Sequence, residues 1–452
     1  MKQVECDVLV IGGGPAGGVT AITAKGYNPE KEVLLIREDK EQLVPCAIPY
    51  VFGNILGNTE KDIASCAPVE NTGVKTMVGV VDEVDIENKK VYTKDEQISF
   101  DKLVLATGSV PFVHPSMGNA TDIEGVFTVP KSKKMIDQLK TYVDTKQQVT
   151  IVGSGFIGVE IGLEFAKSGK EVTIIDAGGH ILNTAFDAEL ASQAEELAKK
   201  AGITLELGNF VDSIKEENGI VTGVSLSGGK VIKSEVVVLA TGYKPNTDLA
   251  KKAGLKLARY GGIWVDEYMR TRNHDIFAVG DCAARRDFIT REPSKIMLAS
   301  TSVAEARAAG SSLYKLKYIK GFNGTIAIFS TVIMGRSFAS AGVTEVQAKM
   351  QNFDIITGTF EGMNRHPATI PDAVKQSVKL IAMNHSGRII GGQIVGGPEV
   401  GELINIIGLL IEEKVSIYSL MSLQVATHPL LTAAPTNYPI IKAAEIIIKK
   451  MD

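Results

Sequence analysis

Only four cysteines occur in 452 residues, Cys6, Cys46, Cys66 and Cys282, and no two are spaced as a paired ligand set. This argues against a disulfide framework and against a zinc site, so no metal is expected. Charge of one sign is also lacking: 48 Lys and Arg against 52 Asp and Glu leave a net −4, giving no reason to expect nucleic acid. No apolar run approaches the roughly 20 residues that span a bilayer; stretches such as IAIFSTVIMG are short and interrupted. The N-terminus MKQVECDVLVIGGG lacks a basic region followed by a long apolar core and a cleavage site, so it is read as a mature cytoplasmic start with no membrane partner. What is present is a globular composition, 44% hydrophobic and 22% charged with 45 glycines, long enough for two or three domains.

The stretch DVLVIGGGPAGGVTAITAKG is an apolar strand, a glycine turn and then small residues at helical spacing. Gly12, Gly14 and Gly17 form GxGxxG, with Pro15 and Ala16 between the last two. The first glycine permits the turn, the second lets backbone approach a pyrophosphate, and the third lets helix pack on strand. A second apolar strand, VLLIRE, ends in Glu38, placed to accept hydrogen bonds from ribose hydroxyls. The pattern recurs in VTIVGSGFIGVEIGLEFAKSG, with Gly153, Gly155, Phe156, Ile157 and Gly158, followed by EVTIID ending in Asp176. Two such units imply two nucleotides. Asp176 is followed by AGGH, with no Arg or Lys nearby to neutralise a 2'-phosphate, which favours NADH over NADPH.

Each unit continues into strand-and-turn sequence resembling a β-meander and then an apolar strand ending in ATG, at Ala106, Thr107 and Gly108 and again at Ala240 to Gly242. The second unit therefore reads as inserted into the first, which resumes toward IFAVGDCA. The expected architecture is α/β, with two Rossmann-like dinucleotide-binding domains, residues 1–114 with 245–322 and residues 115–244, plus an α+β domain at 323–452.

Gly280, Asp281, Cys282 and Ala283 after an apolar strand, both GxGxxG loops, both ATG segments and EYMRT resemble, in order, the pyridine nucleotide-disulfide oxidoreductases, the flavoproteins with two dinucleotide-binding domains. The resemblance implies FAD in the first domain, with Asp281 on its ribityl chain, NADH in the second, and a C-terminal domain that makes a homodimer. It further implies Phe156 and Glu160 near the nicotinamide, and Ala299 and Ser300 at a helix N-terminus facing the flavin pyrimidine. Cys282 is read as structural.

Cys46 stands alone in LVPCAIPYVFG. The branch of this family with two redox cysteines needs a partner at position 41 or 51, and those are Glu41 and Val51. CAIPYVFG resembles instead the single-cysteine branch of coenzyme A disulfide reductases, NADH oxidases and peroxidases, and NADH-dependent persulfide reductases. A lone cysteine outside such a motif is usually a buried apolar filler; inside it, Cys46 is expected to be a redox thiol, its pKa lowered by a positive neighbour, a His or a helix N-terminus. The resemblance implies NADH-driven reduction of a small disulfide, persulfide or polysulfide. Alternatives are oxygen reduction by an NADH oxidase and electron transfer to a redox protein such as rubredoxin.

The tail departs from the coenzyme A enzymes: ATHPLLTAAPTNYP and RHPATIPDA stand where tyrosine motifs are expected, although Tyr438 lies nearby. ATHP resembles the tail of the glutathione reductase branch, which makes His428 the expected acid–base residue, donated by the opposite subunit; His366 is a second candidate. Ala16 replaces the loop histidine of the peroxidases, and only Lys25 and Lys31 are offered for coenzyme A phosphates.

Overall fold

The structure, a computed structural model, describes residues 1–316 and 321–451. The expected segment 245–322 includes residues 317–320, which lie outside the described residues. The apolar runs VLVI and VLLIR form neighbouring parallel strands, Val8–Ile11 and Val33–Arg37, buried along their whole length. Continuous rather than alternating burial is what a parallel sheet covered on both faces requires. Lys102–Leu105, Ile276–Ala278 and Lys75–Val78 complete a five-stranded parallel sheet. A second sheet repeats the order with Gln148–Val152, Glu171–Asp176, Thr204–Leu207, Val236–Leu239 and Val126–Thr128.

The insertion has a physical hinge. Ser109–Pro111, where the chain leaves the first sheet, pairs antiparallel with Tyr243–Pro245, where it returns. Both meanders form, and the first gains an unexpected member: Lys2–Glu5 joins it parallel to Glu96–Ser99 instead of belonging to the central strand that follows. The tail makes a five-stranded antiparallel sheet from Ile328–Ile333, Arg336–Gly342, Ile389–Gly396, Lys375–Met383 and Ile355–Met363. Helix Val400–Glu412 covers it through Val400, Ile404, Ile407 and Ile411, an apolar stripe at helical spacing.

Sequence patterning treats the modules as separate, but their cores merge. One apolar cluster joins Leu43, Ile48, Val51 and Phe52 around Cys46, Val159 and Leu163 of the second glycine-loop helix, and Ile333, Phe338 and Val395 of the C-terminal sheet. Beside it lies a buried ionic clamp. Asp187 receives Lys379 at 3.0 Å, the Gln393 amide at 2.7 Å, and the backbone N–H groups of Glu345 and Val346. Lys379 also reaches Glu345 at 2.8 Å, so its buried ammonium is fully paired.

Candidate functional site

The two glycine loops have the same close fit. Gly12 has φ +113°, and a Cβ on it would sit 2.1 Å from the Ala106 carbonyl; Gly153 has φ +110° and would meet the Ala240 carbonyl at 2.4 Å. A Cβ on Gly17 or Gly158 would fall within about 2 Å of the carbonyl of Gly12 or Gly153. At Gly14 and Gly155, by contrast, a Cβ would meet nothing within 4 Å. Those two residues cap helices Pro15–Tyr27 and Phe156–Lys167 without any side-chain hydrogen bond, which leaves first-turn N–H groups open. Tight packing behind, open space in front and uncapped donors together fit a dinucleotide pyrophosphate, twice.

Past these loops, Glu38 is exposed at the end of its strand. Asp176 is tied to the backbone, accepting from the Ser154 N–H at 2.6 Å and the Gly178 N–H at 2.7 Å. Thr107 donates to the Asn246 carbonyl at 2.6 Å, joining the first ATG turn to the returning chain. Ala299 begins helix Ala299–Ser311, again with no side-chain cap. Gly280 donates to buried Glu305 at 2.8 Å, and Arg285 pairs with Glu305 at 3.3 Å, fixing the loop that carries Asp281.

Asp281 accepts from Ser109 at 2.8 Å and from Lys131 at 2.7 Å. Burial opposes ionisation of Asp281, but Lys131, together with Arg285 and the Ser109 hydroxyl, outweighs it and holds the carboxyl below its ordinary range. Lys131 escaped the sequence reading because it follows a short strand in the inserted unit and carries no motif.

Cys46 lies exposed on a 3-10 turn, Pro45–Val51, that starts with Pro45 and packs on helix Phe156–Lys167. Gly53 allows the approach, since a Cβ there would lie 1.9 Å from Glu164 Oε2, and Phe52 meets Phe165 edge-on at 5.2 Å. The expected lowering of the thiol is not found within one chain. Although its surface is open on one side, dense surroundings push the Cys46 thiol up, Glu160 adds to this, and Lys131 opposes it. Tyr50 is pushed up to about 12 by burial and by Glu160, Glu164 and Cys46. Asp62 is buried with both carboxyl oxygens unpartnered, and burial raises it to about 6.

Glu160 accepts from Thr331 of the C-terminal sheet at 2.8 Å, and burial raises it from 4.5 to about 7. A carboxyl that holds its proton more tightly when folded contributes fully below its unfolded value and loses that contribution as pH rises through the folded one. We expect Glu160→Gln to match wild type near pH 4.5. At pH well above 7 the variant should be more stable by up to about 3 kcal/mol. Denaturant midpoints at the two pH values check this, and equal gaps would refute it. Phe156, expected near the nicotinamide, stacks on Phe329 at 5.0 Å and meets Phe186 at 6.2 Å, bridging the second unit to the C-terminal sheet.

His428 is exposed, and among the described residues no hydrogen bond or ion pair joins it to Cys46 of the same chain. The fold does bring His428 and His366 onto one turn: the His366 N–H meets the Pro429 carbonyl at 3.4 Å, and Thr432 contacts both histidines. Lys25 is occupied by the Pro29 and Lys31 carbonyls, and Lys31 by Asp7. Tyr438 is buried, while the Cys282 thiol is wholly enclosed against the Leu105 and Val279 carbonyls. No helix among the described residues is long and apolar enough to cross a membrane.

Residues 6–306 match the model of the family described as pyridine nucleotide-disulphide oxidoreductase, and 328–438 match its dimerisation domain. An NADH oxidase of Methanocaldococcus jannaschii is 31% identical, over 98% of this chain and 99% of that protein. An NAD(P)H coenzyme A polysulfide/persulfide reductase of Pyrococcus horikoshii is also 31% identical, over 87% and 88%. Among solved structures, an NAD-dependent persulfide reductase from A. fulgidus superposes with a TM-score of 0.90 at 28% identity, covering 98% of this chain and 83% of that one. A water-forming NADH oxidase from Lactobacillus brevis bound to NADH gives 0.89 at 25%, covering 99% of each.

Proposed function

We propose, from the premise that this chain belongs to the pyridine nucleotide-disulphide oxidoreductase family, that it passes electrons from NADH, through FAD and the single thiol of Cys46, to a low-molecular-weight disulfide, persulfide or polysulfide. Residues 1–114 and 245–322 would hold FAD, residues 115–244 NADH, and residues 323–452 the interface of a homodimer. When bound, FAD supplies two-electron chemistry, accepting hydride from a nicotinamide.

The chain's own residues do the rest. Helix N-termini after Gly14 and Gly155 receive pyrophosphates, Glu38 binds a ribose, and Asp281, paired with Lys131, orients the ribityl chain. Asp176, with Ala177 and no cation following, supports NADH over NADPH. Glu160 would orient a carboxamide and Phe156 would flank the nicotinamide.

The observation that carries the reading is Cys46: an exposed thiol on a proline-fixed turn, packed against the helix of the second glycine loop and under the opposed charges of Glu160 and Lys131. As a thiolate it would attack a sulfur of the substrate, and the displaced sulfur would leave protonated. Protonation is assigned to the turn bearing His428, from the partner subunit of the dimer; among the described residues no hydrogen bond or ion pair joins His428 to Cys46 of the same chain. The reaction fits the cytoplasm, where thiols are kept reduced.

The runner-up, an NADH oxidase, keeps the same residues and cycles Cys46 through sulfenic acid. NADH consumption by the FAD-loaded enzyme decides between them. Acceleration by polysulfide or an alkyl disulfide under nitrogen supports the first, and a rate that follows only oxygen supports the second.

A further inference from the structure

The two side chains assigned above to the nicotinamide, Phe156 and Glu160, are both held by one strand of the C-terminal sheet. Phe329 lies face to face with Phe156, ring centroids 5.0 Å apart and planes 16° from parallel, and the Thr331 hydroxyl donates to Glu160 Oε1 at 2.8 Å. The match is one of spacing. Four residues advance a helix by about 6 Å, and two residues advance a strand by about 7 Å. Strand Ile328–Ile333 laid along helix Phe156–Lys167 therefore sets Phe329 and Thr331 opposite Phe156 and Glu160. Alternation along the strand agrees, since Ser330 and Val332 are exposed whereas Thr331 and Ile333 are buried.

The alignment is braced from the side. Phe186 meets Phe156 at 6.2 Å and Phe338 at 6.1 Å, and Phe338 is the cross-strand partner of Thr331. Asp187, next in the chain, is the centre of the Lys379 clamp. With the Thr331 proton committed to Oε1, no hydrogen bond among the described residues ends on Glu160 Oε2, which is left to accept from a ligand.

We infer that Thr331 and Phe329 are positioning residues for the nicotinamide of NADH: Thr331 fixes the Glu160 carboxylate so that Oε2 receives the carboxamide N–H, and Phe329 sets the tilt of Phe156 beside the ring. The inference rests on the NADH reading given above. The C-terminal sheet thus completes the nucleotide site of its own chain. Few charged or titratable groups face Glu160: Glu164 and Lys167 stand on its own helix, Tyr50 and Cys46 on the turn packed against it, and the strand brings none. The Thr331 hydroxyl favours the ionised carboxyl against the effect of burial.

The test uses the oxidised, FAD-loaded enzyme and two equilibrium probes: tetrahydro-NADH, a non-reducing analogue that keeps the carboxamide, and ADP-ribose, which lacks the nicotinamide. Near neutral pH, Thr331→Val should bind tetrahydro-NADH about tenfold or more weakly, as expected when a hydrogen bond to a charged group is lost. Its affinity for ADP-ribose should be unchanged, and Thr331→Ser should bind both as wild type does. Thr331→Ala, which removes the donor and adds no bulk, should reproduce the Thr331→Val pattern. In wild type the affinity for tetrahydro-NADH should fall as pH drops through the Glu160 value of about 7. In Thr331→Val that midpoint should rise by about one pH unit. Phe329→Leu should weaken tetrahydro-NADH binding by roughly threefold to tenfold, with the midpoint and the ADP-ribose affinity unmoved. Equal losses for both probes in Thr331→Val, or a loss of the same size at every pH, would overturn the inference and leave Thr331 as packing. Failure of the NADH reading looks different: wild type would then bind neither probe, and the inference would fall with it.

Discussion

Cys46→Ser should lower acceptor-dependent NADH consumption by about a thousandfold or more, since removing a covalent nucleophile leaves only binding and positioning. The substitution should be gentle on the fold: the side chain is exposed on its turn, and Pro45, Ile48, Val51 and Phe52 hold the backbone regardless. Flavin reduction by NADH should therefore survive. After treatment with one equivalent of peroxide, wild type should consume roughly one more equivalent of NADH than the variant in an anaerobic titration, because a sulfenic acid takes up an electron pair. If turnover on every acceptor is unchanged in Cys46→Ser, the thiol is incidental and electron transfer to a redox protein becomes the better account.

Gly12→Ala and Gly153→Ala should separate the two nucleotides. Each adds a Cβ where φ is +113° or +110° and the opposing carbonyl would be 2.1 or 2.4 Å away. Backbone must move, because the obstacle is the Ala106 or Ala240 peptide rather than a flexible side chain. Gly12→Ala is expected to purify largely free of FAD. Gly153→Ala should keep FAD, its yellow colour and an intact melting transition, yet need NADH at a concentration higher by about a hundredfold or more, the equivalent of roughly 3 kcal/mol. Loss of FAD in Gly153→Ala with retention in Gly12→Ala would invert the assignment of the two domains.

The largest surprise relative to the sequence concerns the surroundings of Cys46. The motif CAIPYVFG marked the thiol, but the groups that shape its environment come from elsewhere: Glu160 at the second glycine loop, Lys131 at the edge of the inserted unit, and Thr331 from the C-terminal sheet behind Glu160. None of these partnerships has a characteristic spacing in the chain, so no pattern could reveal them. The tail histidines show the same limit. ATHP pointed to His428 by resemblance, whereas the hydrogen bonds to Thr432 and Leu430 that distinguish its ring from that of His366 exist only in the folded turn.

The sequence by itself determined the two glycine loops, their acids at Glu38 and Asp176, the nested order of the two parallel sheets and the isolation of Cys46. Each is a local matter: glycine sterics, uninterrupted apolar strands and the absence of a second cysteine at position 41 or 51 act within a few residues. Only the tertiary structure decided how the units meet, through the shared apolar core and the Asp187 to Lys379 clamp, and which hydrogen bonds the tail histidines make. Those depend on contacts between residues distant in sequence, where burial and hydrogen-bond direction set the charge state and residue type alone does not.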